Sequence, residues 1–471
     1  MNSKKKATIN NCKCKYTTVE EEQEDRNKTI EGQLEIYREL LPKILEDFEK
    51  IKDYRNPKKI KHKLTTILIF GLLIFVFQIS SRREATREMS RPMFLENLKT
   101  LFPELETMPH NDTLNRVLME IDVSELETII LDLVKNLIRN KKFKKYLNEN
   151  AYQIAIDGTQ KFKRYYKWED ECLERKNRNG DKYYYVYVLE ANLVFSNGIN
   201  LPLMSEFLNY EEFKDEKTKQ DCELKAFYRL TARLKKYYPR LNIMLLLDGL
   251  YANGVVMNLC EEYKWQYMIV LQNKSLKSVW NAFNISKDLE NNNEISQIYN
   301  DRTQDFTWVN NINYTYTSNG VIHEITTNVV VCEENWKEID IKTNEIIEKK
   351  STHAWLSSKN LTKENVSIRC NLCARYRWAI EISNLVEKHQ GYYYEACLSY
   401  DWNAMKGYHY LMRLAHFMNE LMVNSVNLLE KVKENGIRGL IKFVKETLSS
   451  PWLLQERISK FIKCRKQIRL I

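Results

Sequence analysis

YQIAIDGT, residues 152–159, is where the periodicity of this chain changes, and its reading decides the fold. Upstream, apolar residues recur at helical spacing. Here Ile154, Ala155 and Ile156 follow one another and stop at Asp157-Gly158. A short apolar run closed by Asp-Gly reads as a buried strand ending in a turn. The pattern returns in LNIMLLLDGL, residues 241–250, where the run stops at Asp248-Gly249. Between the two, residues 181–195 and 199–207 read as strands joined across Asn197-Gly198, and residues 220–236 as a helix. Beyond Asp248, residues 254–263 suit a helix and 266–271 another central strand. This alternation specifies an α/β class with a mixed sheet.

The alternation lapses over residues 273–352, which are polar and aromatic. Strands are predicted at 303–308, 312–317 and 321–332, the last two joined across Ser318-Asn319-Gly320. The core resumes with CARYRWAIEISNLVEKHQ, residues 373–390, a helix in which Arg377, Glu381, Asn384 and Lys388 share one face. Trp378, Ile382, Leu385 and Val386 form the adjoining apolar face, which is expected to pack. The chain is thus predicted to divide into a flexible basic tail (1–32, with Lys4-Lys5-Lys6) and a helical N-terminal region for DNA binding or dimerisation (33–149). The first part of the core (150–272), a β-rich insertion (273–352), the second part of the core with the glutamate helix (353–406) and a helical C-terminal region (407–471) follow. In the N-terminal region helices are expected over 34–48, from 62, and over 83–88, 94–102, 112–120 and 123–137. In the C-terminal region they are expected over 408–427 and 440–466, the latter broken at Pro451. The apolar run 64–79 falls short of the about 20 residues that span a bilayer and reads as a buried helix of a bundle, with no membrane partner.

Composition bounds the function. A chain of 471 residues supports two or three packed units, and 44% hydrophobic residues exclude a wholly disordered one. The net charge of +10, with 28 Tyr and 9 Trp, permits a polyanionic partner through phosphate neutralisation and ring stacking. Ten irregularly spaced cysteines without a secretory signal suit reduced thiols and a cytoplasmic setting. The close pairs Cys12/Cys14 and Cys370/Cys373 lack the histidines that would complete a zinc site.

Asp157 and Asp248 close two apolar strands, and residues at strand ends meet at the ligand-binding edge of an α/β sheet. With Glu381 they supply three hard oxygen donors, suited to magnesium or manganese and to phosphoryl transfer with two ions. Each also has an ordinary reading: an Asp-Gly turn for Asp157, a cap for Asp248, an i,i+4 ion pair with Arg377 for Glu381.

AIDGT (155–159), LLLDGLYANG (245–254) and ARYRWAIEISNLVEK (374–388) resemble, in order, the motifs of IS4-like DDE transposases of bacterial insertion sequences. The third motif of that family runs tyrosine, two residues, arginine, three residues, glutamate, six residues, lysine. Arg377, Glu381 and Lys388 match it in register, while Ala374 stands at the tyrosine position. The resemblance covers residues 150–410 and implies an RNase H-like core interrupted by a β insertion. Asp157, Asp248 and Glu381 would then bind two Mg2+ ions, Mn2+ substituting. It also implies cleavage of transposon-end DNA and strand transfer into target DNA by a homodimer associated with the nucleoid.

Arg377, Lys388 and Arg375 are the DNA contacts expected from the helix, with Tyr251, Lys274 and Lys277 from the second motif and the insertion. Trp280 and Trp308 are candidates for base stacking, Trp308 equally for cross-strand packing. His389 has no assigned chemistry. A metal-dependent nuclease without strand transfer and an inactive transposon-derived DNA-binding protein are the alternatives.

Overall fold

The computed structural model describes residues 14–209, 222–287, 293–340 and 345–471. Lys4-Lys5-Lys6 lies outside them. In chain order the elements begin with α1 (Val19–Lys50), α2 (Leu64–Val76), α3 (Arg82–Met89), α4 (Pro92–Leu101), α5 (Asn111–Glu120) and α6 (Ser124–Arg139). Next come β1 (Tyr152–Arg164), β2 (Leu173–Lys176), β3 (Lys182–Val194), β4 (Asn200–Phe207), α7 (Glu223–Tyr237), β5 (Ile243–Leu247), α8 (Gly254–Tyr263) and β6 (Gln266–Val270). The chain continues through α9 (Lys277–Ser286), β7 (Glu294–Tyr299), β8 (Arg302–Ser318), β9 (Val321–Ile339) and β10 (Ile346–Ser357). It closes with α10 (Trp378–His389), α11 (Trp402–Val423), α12 (Leu429–Leu448) and α13 (Gln455–Lys463). Two compact units result, Met1–Val117 with Leu421–Ile471, and Leu118–Glu420.

In the first unit, residues 19–32, read from sequence as part of a flexible tail, are instead the first turns of α1. The Thr18 hydroxyl accepts from the Glu21 amide, and Glu20, Glu21 and Glu22 sit against the positive end of the helix. Helix α2 is buried at every residue from Thr66 to Val76, as expected for the centre of a bundle. Asn97 of α4 ties in the chain's last part by donating to the carbonyls of Leu448 and Ser450 at 3.0 and 3.1 Å. Among the described residues, no helix is long and apolar enough to cross a membrane.

The second unit is built on one open, mixed sheet of order β2-β3-β1-β5-β6-β10-β9-β8-β7, with β4 also paired to β3. β1, β5 and β6 run parallel, and β5 (IMLLL) is buried at every residue because the sheet is covered on both faces there. β3 and β4 add antiparallel strands on one side. On the other, β10 pairs with β6 through Trp355–Ser357, so the strands of the insertion extend the central sheet. The mixed sheet, with helical regions before and after it in the chain, is consistent with an RNase H-like architecture.

Two readings of the strands need correcting. β1 does not end at Asp157-Gly158 but runs on to Arg164, because β3 pairs with it as far as Arg164↔Tyr184. β8 is one strand where two were read, with an irregularity between Val309 and Ile312 that Asn311 absorbs at φ 58°. Its turn to β9 has Asn319 and Gly320 at φ 50° and 78°, both positive as a two-residue hairpin turn requires.

Candidate active site

The last residues paired between β1 and β5 are Ala155 and Leu246. Asp157 and Asp248 each lie two positions further on, so parallel register brings them side by side where the two strands part. The Asp248 carboxylate accepts from the Leu250 amide at 2.9 Å and caps a single 3-10 turn over Gly249–Tyr251. The glycines that follow both aspartates are required by close approach. A Cβ on Gly158 would stand 2.5 Å from the Tyr187 ring and 2.7 Å from Glu223 Oε2, and one on Gly249 would stand 2.7 Å from the Gln272 side chain.

Glu381 is delivered by α10, whose approach is irregular. A π-helical turn, Ile368–Cys373, passes into a 3-10 turn, Ala374–Arg377, before the α-helix begins. Cys370, Cys373, Ala374 and Ile380 anchor this segment in the same core as Ala155, Leu246 and Met268. Ala374, at the family's tyrosine position, is a core residue, and the nearby Tyr376 hydroxyl donates to the Ser196 carbonyl at 2.7 Å. Arg377 pairs with Glu381 at 2.8 Å; its side chain is only 7% exposed, that of Glu381 34%.

The electrostatics show that the three carboxylates share one neighbourhood. Asp157 is pushed up to about 7, first by burial and next by the charge of Glu381, with Arg377 opposing and with Glu223 and Asp248 adding to the rise. Glu223, the first residue of α7, is the member that sequence reading missed. It accepts from the Tyr251 hydroxyl at 2.8 Å and the Tyr187 hydroxyl at 3.1 Å. Nothing in QDCELKAFY distinguishes it from an ordinary acidic helix start. Among the described residues, no three His, Cys, Asp or Glu side chains stand close enough to hold a metal ion. The donor chemistry nonetheless fits a hard divalent cation: carboxylate oxygens only, with like charges crowding Asp157.

The two faces of α10 are the reverse of the sequence reading. Trp378, Ile382 and Leu385, expected to pack, are 56%, 60% and 55% exposed, while Ser383, Asn384 and Glu387 are buried. The reason lies in α11, which presents cations to the buried face. Arg413 donates to Glu387 at 3.0 Å and stands 3.3 Å from Glu190, and His416 Nδ1 is 2.6 Å from Glu387. Burial works against Glu387, yet Arg413 and His416 hold it below the usual carboxylate range. Glu190 also accepts from Ser205 at 2.6 Å and Tyr394 at 2.9 Å, while the Lys161 ammonium donates to the Tyr394 carbonyl at 3.0 Å. With these partners the polar side is the one that packs.

The other expected DNA contacts scatter. Arg375 is held by Glu334 at 2.5 Å and by Asn371, and Lys388 stands 3.4 Å from Glu395. Tyr251, expected to line a DNA path, is fully buried with its hydroxyl on Glu223. Trp308 is buried opposite Val330, which removes it from base stacking, and Trp280 is half-buried with its indole N–H on the Gln272 carbonyl at 3.0 Å. Lys274 and Lys277 are exposed.

Residues 45–134 match the DDE_Tnp_1-associated family. The matched stretch runs from the end of α1 into α6, upstream of all the carboxylates described above. It points to a transposase-like protein from a part of the chain independent of the three motifs. No curated protein matches the chain.

Proposed function

We propose that this chain is a DNA transposase whose centre is Asp157, Asp248 and Glu381, cutting donor ends and joining them to target DNA with divalent cations. The observation that carries the reading is the convergence of carboxylate charge on Asp157 from β5 and α10. The DDE_Tnp_1-associated match supports it from outside the core.

Asp157 and Asp248, side by side beyond the last β1–β5 pair, would hold magnesium ions, and Glu381 would join them on release from Arg377. Bound ions of this kind activate a water or a 3′-hydroxyl and stabilise the departing oxygen. In the cleavage step water attacks phosphorus at the element end and the 3′-oxygen leaves. In the joining step that 3′-hydroxyl attacks a target phosphate, whose own 3′-oxygen leaves. Arg377, freed from Glu381, would turn to a backbone phosphate, since a guanidinium orients phosphate bidentately. Lys388, Lys274 and Lys277 would add charge along the path, with two copies of the chain bringing two ends together.

The test is to incubate the full chain with labelled end DNA, a target duplex and magnesium, and to sequence the junctions. Joined products that vanish in D157A, D248A and E381A, with DNA binding retained, are the expected result. Cleavage without joining would make the protein a nuclease. Unchanged products in all three variants would remove the site.

A further inference from the structure

The carboxylates around Asp157 include one that the three motifs do not contain. We propose that Glu223 is a fourth carboxylate of the same centre and takes part in holding a divalent cation beside Asp157 and Asp248, an inference that rests on the reading of that centre given above.

Strand alternation gives Glu223 its position. Asp157 pairs with Glu190 across β1 and β3 and shares its face of the sheet, whereas Gly158 faces the other way. On that other face, a Cβ at Gly158 would run into Tyr187 and Glu223 Oε2. Glu381 therefore reaches the strand ends from the α10 side and Glu223 from the α7 side. The absent side chain at Gly158 leaves the space through which Glu223 approaches.

A purely structural glutamate at this depth would be expected to have a cation, as Glu190 and Glu387 do. Glu223 forms no ion pair among the described residues; its partners are two neutral hydroxyls, one on each oxygen. Each oxygen keeps a lone pair for a further ligand. Asp248 adds negative charge rather than relieving it. A second feature of the same place also lacks its partner. Arg377, more than nine-tenths buried, has an Nε with no hydrogen bond, although its guanidinium pairs with Glu381 and its charge acts on Asp157. Unmatched carboxylates and an unmatched guanidinium N–H together describe a site prepared for a cation and the phosphate it carries.

The experiment measures Mn2+ binding to the full chain, without DNA, by loss of the free-ion electron paramagnetic resonance signal. Glu223→Gln keeps the shape and the tyrosine contacts, and should raise the Mn2+ dissociation constant by about tenfold or more, with the folded spectrum unchanged. Tyr187→Phe with Tyr251→Phe removes the hydroxyls and keeps the carboxylate. A cation ligand predicts that Mn2+ binding survives in this variant, and a tyrosine clamp predicts the same loss as in Glu223→Gln. Asp157→Asn separates the two levels of inference. If it weakens Mn2+ binding while Glu223→Gln binds as the parent does, Glu223 is no ligand and the centre stands. If neither changes binding, the centre itself is wrong.

Discussion

Helix α10 carries two glutamates whose surroundings differ in kind. Glu387 points into a buried cluster where Arg413 and His416 match its charge, and Glu190 on β3 shares the same arginine. Glu381, less than two turns earlier, has Arg377 but acts on a group that already includes Asp157, Asp248 and Glu223. In the first place every carboxylate has a fixed cation. In the second, four carboxylates share one guanidinium. Charge satisfied by the fold contributes to holding it together, and charge left over is available to a ligand. The helix therefore serves as a bridge, anchored by one set of charges while it presents the other.

Four measurements can break or sharpen this contrast. Arg413→Met leaves Glu190 and Glu387 buried without their shared cation, and urea unfolding should show a loss of about 3–5 kcal/mol. A loss below about 1 kcal/mol would mean that the cluster does not anchor α10. His409 is kept neutral by burial and by the nearby charges of Lys161 and Arg413, with Glu190 3.4 Å away. Its folded pKa is depressed, so the unfolded chain takes up the proton first and stability falls as pH drops below about 6.5. Between pH 6.5 and 5 the parent should lose roughly 1.5 kcal/mol more than His409→Asn; equal slopes would exclude a neutral buried imidazole.

At the other place the sign reverses. Asp157→Asn removes one of the crowded charges and should raise stability in a chelator by on the order of 1 kcal/mol, read as an increase in Tm, while end cleavage is lost. Destabilisation by the same amount would show that Arg377 already balances the group. The smallest effect belongs to the exposed face of α10. Leu385→Gln should change stability by no more than about 0.5 kcal/mol, against the about 2–5 kcal/mol expected had that face been packed.

Much of this was legible in the chain. The apolar runs before Asp157 and Asp248, the hairpin at Asn197-Gly198 and the turn at Asn319-Gly320 were set by local chemistry, since short apolar strands and positive φ leave clear residue signatures. The extension of β1 to Arg164 was not, because it depends on how far β3 runs alongside. Nor was the burial of Tyr251 and Trp308, for aromatic residues look alike whether they face a ligand or a core.

By itself the sequence determined the order of strands and helices and two of the places where carboxylates could gather, because hydrophobic period and turn residues act over a few positions. Which face of α10 is buried, that Glu223 joins the group around Asp157, and that Glu387 does not were decided only in three dimensions. A polar side chain packs when distant residues supply its partners, and the partners here, Arg413, His416, Tyr187 and Tyr251, come from other strands and helices.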